Sequence, residues 1–227
     1  MSTDIYAVIV AGGQGTRMGA AIPKQFLEIR GKPVLYYTLK AFTDAFPQLN
    51  IILVLPQNQF SYLQMVLQHF PERIDISLVA GGQSRFQSVR NGLQQVPPDA
   101  IVMVHDGVRP LASTSLLQKC AEQAADLGSA IPAVQVQDSI RTIKEDRSFP
   151  VDRSQLRSIQ TPQAFKASIL LPAFKQEESP AFTDEATVVE ASGEVVHLIE
   201  GERSNLKITT PEDLVLAEAL LKSRNQL

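Results

Sequence analysis

The feature that most constrains the fold is an apolar run at residues 5–10 that passes directly into a glycine-rich segment, VAGGQGTRMGAAIPKQF, at residues 10–26. A short, fully apolar, β-branched run predicts a buried central strand. Glycine lets backbone N–H groups approach a ligand closely, so the segment after the strand is predicted to be a ligand-binding loop. The glycines of this loop are Gly12, Gly13, Gly15 and Gly19.

Two cationic side chains, Arg17 and Lys24, lie in the same segment. A planar guanidinium and a compact ammonium together suit the oxygens of a polyphosphate, so the loop is predicted to bind a phosphate chain. The spacing reads GxGxxxG and no GK[ST] follows, which excludes the dinucleotide fingerprint and the P-loop. The next predicted strand, residues 51–55, runs into Pro56-Gln57-Asn58 without the acidic residue of a dinucleotide site, so a dehydrogenase is disfavoured.

Strand and helix patterns then alternate along the chain. The sequence predicts strands at 51–55, 76–79, 101–104, 130–134 and 195–199, and helices at 34–45, 60–69, 84–95, 113–127, 167–176, 183–191 and from Thr210-Pro211 to about 222. Such alternation predicts an α/β fold, a Rossmann-like, mostly parallel sheet flanked by helices. Polar clusters at 12–24, 81–88 and 106–109 each follow a strand, so they are predicted to share one edge of the sheet.

Residues 135–156 break this rhythm. They alternate, carry many charges and show no helical stripe, which predicts a projecting two-stranded arm with a polar tip near residues 144–148. Because an isolated hairpin is marginally stable in water, we expect the arm, at about 135–157, to pack against a second copy of the chain and form a homodimer.

Composition limits the remaining options. A chain of 227 residues with 44% hydrophobic content suits a single domain, and a formal charge of -3 argues against general nucleic-acid binding. The single cysteine, Cys120, excludes an internal disulfide framework and a cysteine-based zinc site. No apolar run approaches the roughly 20 residues of a membrane span. We therefore expect a cytoplasmic protein, or a plastid stromal one if a transit peptide was removed.

Read in order, these motifs resemble the 2-C-methyl-D-erythritol 4-phosphate cytidylyltransferases of the non-mevalonate isoprenoid pathway. The resemblance covers nearly the whole chain and rests on AGGQGTRM with PKQ, GGQSRFQSV, HDGVRP, the arm with DSI and VDRSQL, QTPQAF, TDEA and NLKITTPEDL. It implies a nucleotidyltransferase-type fold with a dimerising arm. It also implies attack of the substrate's 4-phosphate on the α-phosphorus of CTP, which expels pyrophosphate.

The resemblance assigns roles by position. It implies that the catalytic charges are Arg17, Lys24 and Lys207. It implies that CTP is bound by Ala11, Gly12, Gly13, Gly15, Gly81, Gly82, Arg85, Ser88 and Asp106. It implies that the sugar phosphate contacts Asp106, Arg109, Ser139, Thr161, Lys207 and, from the partner subunit's arm, the residue equivalent to Arg153. Asp106 is also implied to help hold Mg²⁺, directly or through water.

Three departures from the family pattern concern the substrate pockets. Val10-Ala11-Gly12-Gly13 replaces a PAAG-like run, Ser139 stands where threonine is common, and Ser204 lies in a stretch that is often acidic. Two other functions are open. Ribitol-5-phosphate cytidylyltransferase shares most motifs, although VDRSQL with Arg153 favours the methylerythritol enzyme. A non-catalytic nucleotide-binding module is the alternative from another class, and the presence of Arg17, Lys24, Asp106 and Lys207 argues against it.

Overall fold

The computed structural model describes residues 4–13 and 22–224. Within them the strands are β1 (Ile5–Val10), β2 (Glu28–Ile29), β3 (Lys32–Pro33), β4 (Asn50–Leu55), β5 (Ile76–Ala80), β6 (Ile101–Asp106), β7 (Ser129–Gln135), β8 (Ile140–Lys144), β9 (Arg147–Val151), β10 (Arg157–Ile159), β11 (Gln163–Lys166) and β12 (Leu198–Glu200). The α-helices are α1 (Val34–Ala45), α2 (Leu63–Leu67), α3 (Arg85–Leu93), α4 (Thr114–Leu127), α5 (Ala167–Ala173), α6 (Glu185–Ala191) and α7 (Pro211–Arg224).

A central sheet of eight strands has the order β10-β7-β11-β6-β1-β4-β5, with β12 paired to β7. β1 is parallel to both β4 and β6, and β4 is parallel to β5. The carboxyl ends of these four strands therefore meet at one edge, as the alternation of strand and helix predicts. The predicted α/β fold with a mostly parallel sheet is confirmed.

The apolar run of β1 reflects burial on both faces of the sheet. Ile9 belongs to the hydrophobic cluster under α1 and α4, whereas Val8 belongs to the cluster under α3, α5 and α6. Successive side chains of a strand point to opposite faces, so a strand covered on both sides must be apolar throughout. This burial fixes the glycine-rich end of β1 at the centre of the sheet edge.

The other half of the sheet is mostly antiparallel, with β12 parallel to β7. β11 lies between β6 and β7 and runs antiparallel to both, and β10 is antiparallel to β7. β11 carries the QTPQAF segment back across the sheet, which the strand and helix rhythm does not indicate.

Two predicted elements differ from the structure. The predicted helix at 60–69 is wrong over much of its length, because residues 57–62 form a 3₁₀ helix and α2 covers only Leu63–Leu67. The tighter turn brings Gln59 into the interior, where its side chain accepts a hydrogen bond from Gln25. The predicted strand at 195–199 is displaced, since pairing with β7 begins only at Leu198.

The predicted two-stranded arm is present. β8 and β9 pair with each other in a separate sheet, and the turn between them places Glu145 and Asp146 at φ 45° and 62°. Two large apolar side chains on this hairpin face solvent, Ile143 at 69% and Phe149 at 46% exposure. Among the helices that the structure describes, none has the length and apolar character to cross a bilayer.

Candidate active site

A cavity of about 280 Å³ opens at the carboxyl ends of the parallel strands. Its walls come from the ends of β1 and β6, from the turn between β5 and α3, and from the segment before α7. It is lined by Val10, Ala11, Gly12, Gly13, Lys24, Gln25, Gly82, Gln83, Ser84, Arg85, Ser88, Asp106, Val108 and Lys207. Residues from all three predicted polar clusters therefore line one cavity.

The second glycine turn is held closed by Ser88. Its hydroxyl donates to the carbonyl of Ser84 (2.8 Å) and accepts the N–H of Gly82 (3.1 Å). A Cβ on Gly82 would lie 2.4 Å from the Cβ of Gln87, so the turn can pack on α3 only without a side chain. Gly81 lies behind this wall, since a Cβ there would meet the Ser88 oxygen at 3.1 Å.

Lys24 and Lys207, which are 183 positions apart in sequence (207 - 24), both line the cavity. The Lys24 ammonium donates to the carbonyl of Ile208 at 2.9 Å, and the Lys207 ammonium pairs with Asp106 at 3.0 Å. The predicted convergence of the two amines on one cavity is therefore observed, and their catalytic role stays a prediction.

Asp106 is the anionic centre of the site. It is buried at the end of β6, and one oxygen faces Arg85 (3.5 Å) while the other faces Arg109 (3.3 Å) and Lys207 (3.0 Å). Burial alone would raise the pKa of Asp106, but the three cations outweigh it and hold the pKa well below its usual range. The carboxylate is therefore ionised, and it holds Arg85 and Lys207 at the cavity wall and Arg109 outside the cavity lining.

Arg85 is fixed by Glu185. This residue belongs to the TDEA motif but is not among the predicted site residues. The fully buried Glu185 carboxylate accepts two hydrogen bonds from the Arg85 guanidinium, at 2.6 and 3.1 Å. Burial lowers the pKa of Arg85, but Glu185 and Asp106 outweigh it and raise the pKa above its usual value. A bidentate pair fixes the plane of the guanidinium, so Glu185 orients Arg85 toward Asp106.

Beneath the site, His105 and Thr161 form a buried hydrogen-bonded chain. The Asp106 N–H donates to the Thr161 hydroxyl (3.1 Å), which lies 3.2 Å from Nδ1 of His105. Nε2 of His105 faces the Arg109 carbonyl at 3.1 Å, and because a carbonyl only accepts, Nε2 carries the proton and Nδ1 accepts from Thr161. Burial lowers the pKa of His105 to about 4, so the ring is neutral near pH 7.

Several predicted residues lie elsewhere. Arg109 contacts Asp106 from outside the cavity lining, and Thr161 directs its hydroxyl toward His105. Ser139 and Arg153 are exposed at the base of the arm, where an Arg153 Nη1 donates to the Gln137 carbonyl. Arg17, Gly15 and Gly19 fall outside the described residues.

Gln25 is a cavity residue that the sequence reasoning missed. It is fully buried after the glycine-rich loop, and its Nε2 donates to the carbonyl of Ala11 (2.7 Å) and to Gln59 (2.6 Å). Its position one residue after Lys24 in PKQ was the available signal.

The donor set does not favour direct metal ligation. Among the residues that the structure describes, no group of three or more His, Cys, Asp or Glu side chains is placed to hold a metal. Asp106 is the only carboxylate among the residues that line the cavity, and both of its oxygens already face cations. Within residues 4–13 and 22–224, the cavity therefore supplies one carboxylate, that of Asp106, toward a metal ion.

A parallel sheet ending in glycine turns, with two lysines and an arginine-bound aspartate around one cavity, defines a nucleotidyltransferase. The family model for 2-C-methyl-D-erythritol 4-phosphate cytidylyltransferase matches residues 5–223. The chain belongs to this family.

Relatives and solved structures agree with this assignment. The 2-C-methyl-D-erythritol 4-phosphate cytidylyltransferase of Bacteroides thetaiotaomicron is 45% identical over 94% of this chain and 98% of its own length. That of Bacteroides fragilis is 46% identical over 95% and 98%. The crystal structure of 4-diphosphocytidyl-2C-methyl-D-erythritol synthase from Anaerococcus prevotii superposes with a TM-score of 0.82 at 30% identity, covering 97% of this chain and 99% of that one. The Thermus thermophilus cytidylyltransferase gives 0.77 at 33% identity, covering 98% and 100%.

Proposed function

We propose that this protein joins CTP and 2-C-methyl-D-erythritol 4-phosphate to give 4-diphosphocytidyl-2-C-methylerythritol and pyrophosphate, a step of the non-mevalonate isoprenoid pathway. The observation that supports this reaction best is the shared cavity of Lys24 and Lys207 beside the glycine turns. Two polyanions must meet for this reaction, and such a cavity supplies positive charge where they would meet.

In the proposed mechanism, a 4-phosphate oxygen attacks the α-phosphorus of CTP. A new P–O bond forms on one side of that phosphorus as the bond to the β-phosphate oxygen breaks, and the electron pair leaves with pyrophosphate. The nucleophile is already anionic, so catalysis depends on positioning and on charge stabilisation. Lys24 and Lys207, together with Arg17, neutralise the charge that builds up around the phosphorus.

The base is proposed to lie against the glycine turns. Backbone groups of Ala11, Gly12, Gly13 and Gly82 are proposed to face the cytosine, with the Ser88 hydroxyl at the same wall and Gly81 supporting the turn from behind. Gly15 belongs to the phosphate-binding part of the loop. Arg85 contributes through its contact with Asp106.

Magnesium is proposed to arrive with CTP. A bound Mg²⁺ would supply positive charge that offsets the charge of the phosphates, and Mg²⁺ commonly keeps several waters. Because both oxygens of Asp106 face cations, this residue is proposed to reach the ion through water. The role of this chain is to keep the Asp106 carboxylate ionised beside the phosphates.

The sugar phosphate is proposed to bind between two subunits of a homodimer. Arg109, Asp106 and Lys207 approach from one subunit, with Thr161 supporting Asp106 from below. Ser139 is proposed to contact the sugar phosphate, and Arg153, at the base of the arm, is proposed to complete the site of the other subunit. The exposed apolar side chains of the hairpin support dimerisation, since a partner would cover them.

We propose that residues 1–227 form one nucleotidyltransferase domain that includes the arm at about 135–157, and that it works in the cytoplasm. The single cysteine, Cys120, is buried and leaves no internal disulfide to form, which fits a reducing compartment.

The experiment is a magnesium-dependent pyrophosphate-release assay with CTP and each of two acceptors, methylerythritol 4-phosphate and ribitol 5-phosphate. The proposal expects turnover with the first and little with the second. Preference for ribitol 5-phosphate would assign the ribitol reaction. Binding of CTP without pyrophosphate release from either acceptor would identify a non-catalytic nucleotide-binding module.

A further inference from the structure

Lys207 lies in a segment with no regular secondary structure. β12 ends at Glu200 and α7 begins at Pro211, and residues 201–209 between them belong to neither helix nor strand. A loop lysine has many accessible positions, because its backbone has no ladder and its side chain has four rotatable bonds. Something else must keep residue 207 at the cavity wall.

One support is Gln160, on the short link between β10 and β11. Its Nε2 donates to the carbonyl of Glu202 (2.8 Å), and its Oε1 accepts the N–H of the same residue (3.1 Å). One side-chain amide thus satisfies both backbone groups of Glu202, as a neighbouring strand would. The approach is close, since a Cβ on Gly201 would lie 2.6 Å from the Gln160 oxygen.

The second support is Asn205, two positions before Lys207. It is fully buried, and its Nδ2 donates to the carbonyl of Thr161 at 2.9 Å. Its own carbonyl accepts a hydrogen bond from Arg109 at 2.9 Å. Asn205 therefore connects the loop to the link between β10 and β11 and to the arginine that contacts Asp106.

Together these contacts fix both ends of the stretch before Lys207. Beyond the lysine, Ile208 donates its N–H to the Val108 carbonyl at 2.9 Å. Asn205 on one side and Ile208 on the other leave residue 207 with little backbone freedom, and its ammonium meets Asp106 at 3.0 Å.

We infer that Asn205, assisted by Gln160, is the positioning residue that holds Lys207 against the reacting phosphates. This inference rests on the proposed function, because it takes Lys207 to stabilise charge in the reaction. Asn205 itself lies outside the cavity lining and acts through the loop. A misplacement of about 1 Å from a catalytic position can cost on the order of 100-fold in rate.

The kinetic test is a double-mutant cycle between Asn205→Ala and Lys207→Met. Asn205→Ala alone is expected to lower kcat by about 10- to 100-fold, with the KM for CTP changed by less than about threefold. In the Lys207→Met background the same change is expected to have no further effect on kcat, because the group that it positions is gone. Multiplying effects in the double variant would overturn the inference.

Hydrogen exchange supplies a readout that does not depend on activity. Asn205→Ala is expected to increase amide exchange across residues 201–209 while the rest of the sheet stays protected. The matched control is Asn91→Ala, which removes the same kind of bond, from Nδ2 to the Ala80 carbonyl at 3.0 Å, on α3. The control is expected to keep both kcat and the exchange of 201–209 unchanged.

Gln160→Leu provides a second variant should Asn205→Ala fail to fold. It removes both partners of the Glu202 backbone and is expected to show the same loss of protection and the same dependence on Lys207. Unchanged exchange at 201–209 in a folded Asn205→Ala or Gln160→Leu protein would refute the anchor. If the wild-type protein released no pyrophosphate with any acceptor, the proposed function would fail, and the exchange comparison would still decide whether Asn205 fixes the loop.

Discussion

The cavity at the sheet edge and the β8–β9 arm differ in how their charged side chains are surrounded. In the cavity, Asp106 and its cations are enclosed by the sheet and by side chains from distant parts of the chain. In the arm, Arg153 is exposed, and its guanidinium contacts the backbone at Gln137. The first region has its partners within one chain, whereas the second offers side chains that a single chain leaves uncovered.

Because of this difference, we expect the cavity and the arm to respond differently to mutation. Enclosed charges depend on one another, so losing one exposes the desolvation cost of the rest. Exposed charges on a hairpin contribute little to folding, and they matter only when another surface covers them. Variants of the cavity should therefore damage chemistry or stability in the isolated subunit, while variants of the arm should act through assembly.

The largest effect is expected for Lys24→Ala. Removing a preorganised charge beside the α-phosphate should lower kcat by at least about 100-fold, near 3 kcal/mol of transition-state stabilisation. Pyrophosphate release at saturating CTP measures it. Lys40→Ala is the matched control, because Lys40 pairs with Asp44 on α1 and should leave kcat intact. A wild-type kcat for Lys24→Ala would contradict a catalytic role for the cavity.

Glu185→Gln tests whether the enclosed charges depend on one another. It keeps the shape but leaves Arg85 with one fewer buried counter-ion, so the free energy of unfolding should fall by about 3 kcal/mol. Urea denaturation monitored by circular dichroism measures the change. Glu178→Gln, on an exposed carboxylate that binds Gln87, should leave stability unaltered. Equal stability of the two variants would contradict the comparison.

The buried His105 makes the free energy of unfolding depend on pH. Its folded pKa of about 4 lies below the ordinary histidine pKa of 6.5, so the unfolded chain binds more protons between these pH values. Stability is therefore full above about pH 6.5 and falls as the pH decreases, by about 2 kcal/mol between pH 7 and pH 5. Unfolding free energies for wild type and His105→Asn measure this, and His105→Asn should flatten the dependence. His69→Asn, outside the network, should retain it.

Arg153→Ala should have the smallest energetic effect, because it removes one contact contributed by the arm. The apparent KM for the sugar phosphate should rise about tenfold, near 1.4 kcal/mol, with the KM for CTP unchanged. An unaltered KM for the sugar phosphate would argue against a shared site.

A companion variant sharpens this test at the level of assembly. Ile143→Asp places a charge on the exposed hairpin and should shift the sedimentation profile from dimer to monomer. It should also reproduce the KM change of Arg153→Ala. Val215→Asp, on the 71% exposed Val215 of α7, is the matched control and should leave the profile unchanged. A wild-type protein that sediments as a monomer at all concentrations would refute the dimer.

Local patterns predict the parts of the fold in which burial follows chain order. The strong helical period at 34–45 gives α1 its observed bounds, and the apolar β1 and its glycine-rich end lie at the predicted place. The antiparallel β11 was not identified, because its direction depends on pairing with β6 and β7. Local alternation carries no information about a strand inserted between two others.

The candidate site shows the same division. Lys24 could be selected from sequence because its setting in the glycine-rich loop is local, whereas Ser88 was selected through the family resemblance. Glu185 could not be selected from sequence, since its role is to bind Arg85, which lies 100 positions away. Asn205 belongs to the NLKITTPEDL motif, but its role could not be predicted, because only the folded chain shows that it reaches the Thr161 carbonyl.

The three cations around Asp106 have a thermodynamic consequence for ligand entry. Like charges gathered without an anion would repel one another during folding, so the carboxylate serves as an internal surrogate for a phosphate until a nucleotide arrives. Under the proposed function, an incoming triphosphate would then compete with this surrogate for Lys207. Part of the attraction between protein and nucleotide would thereby be exchanged for preorganisation, since Asp106 already holds Arg85 and Lys207 at the cavity wall.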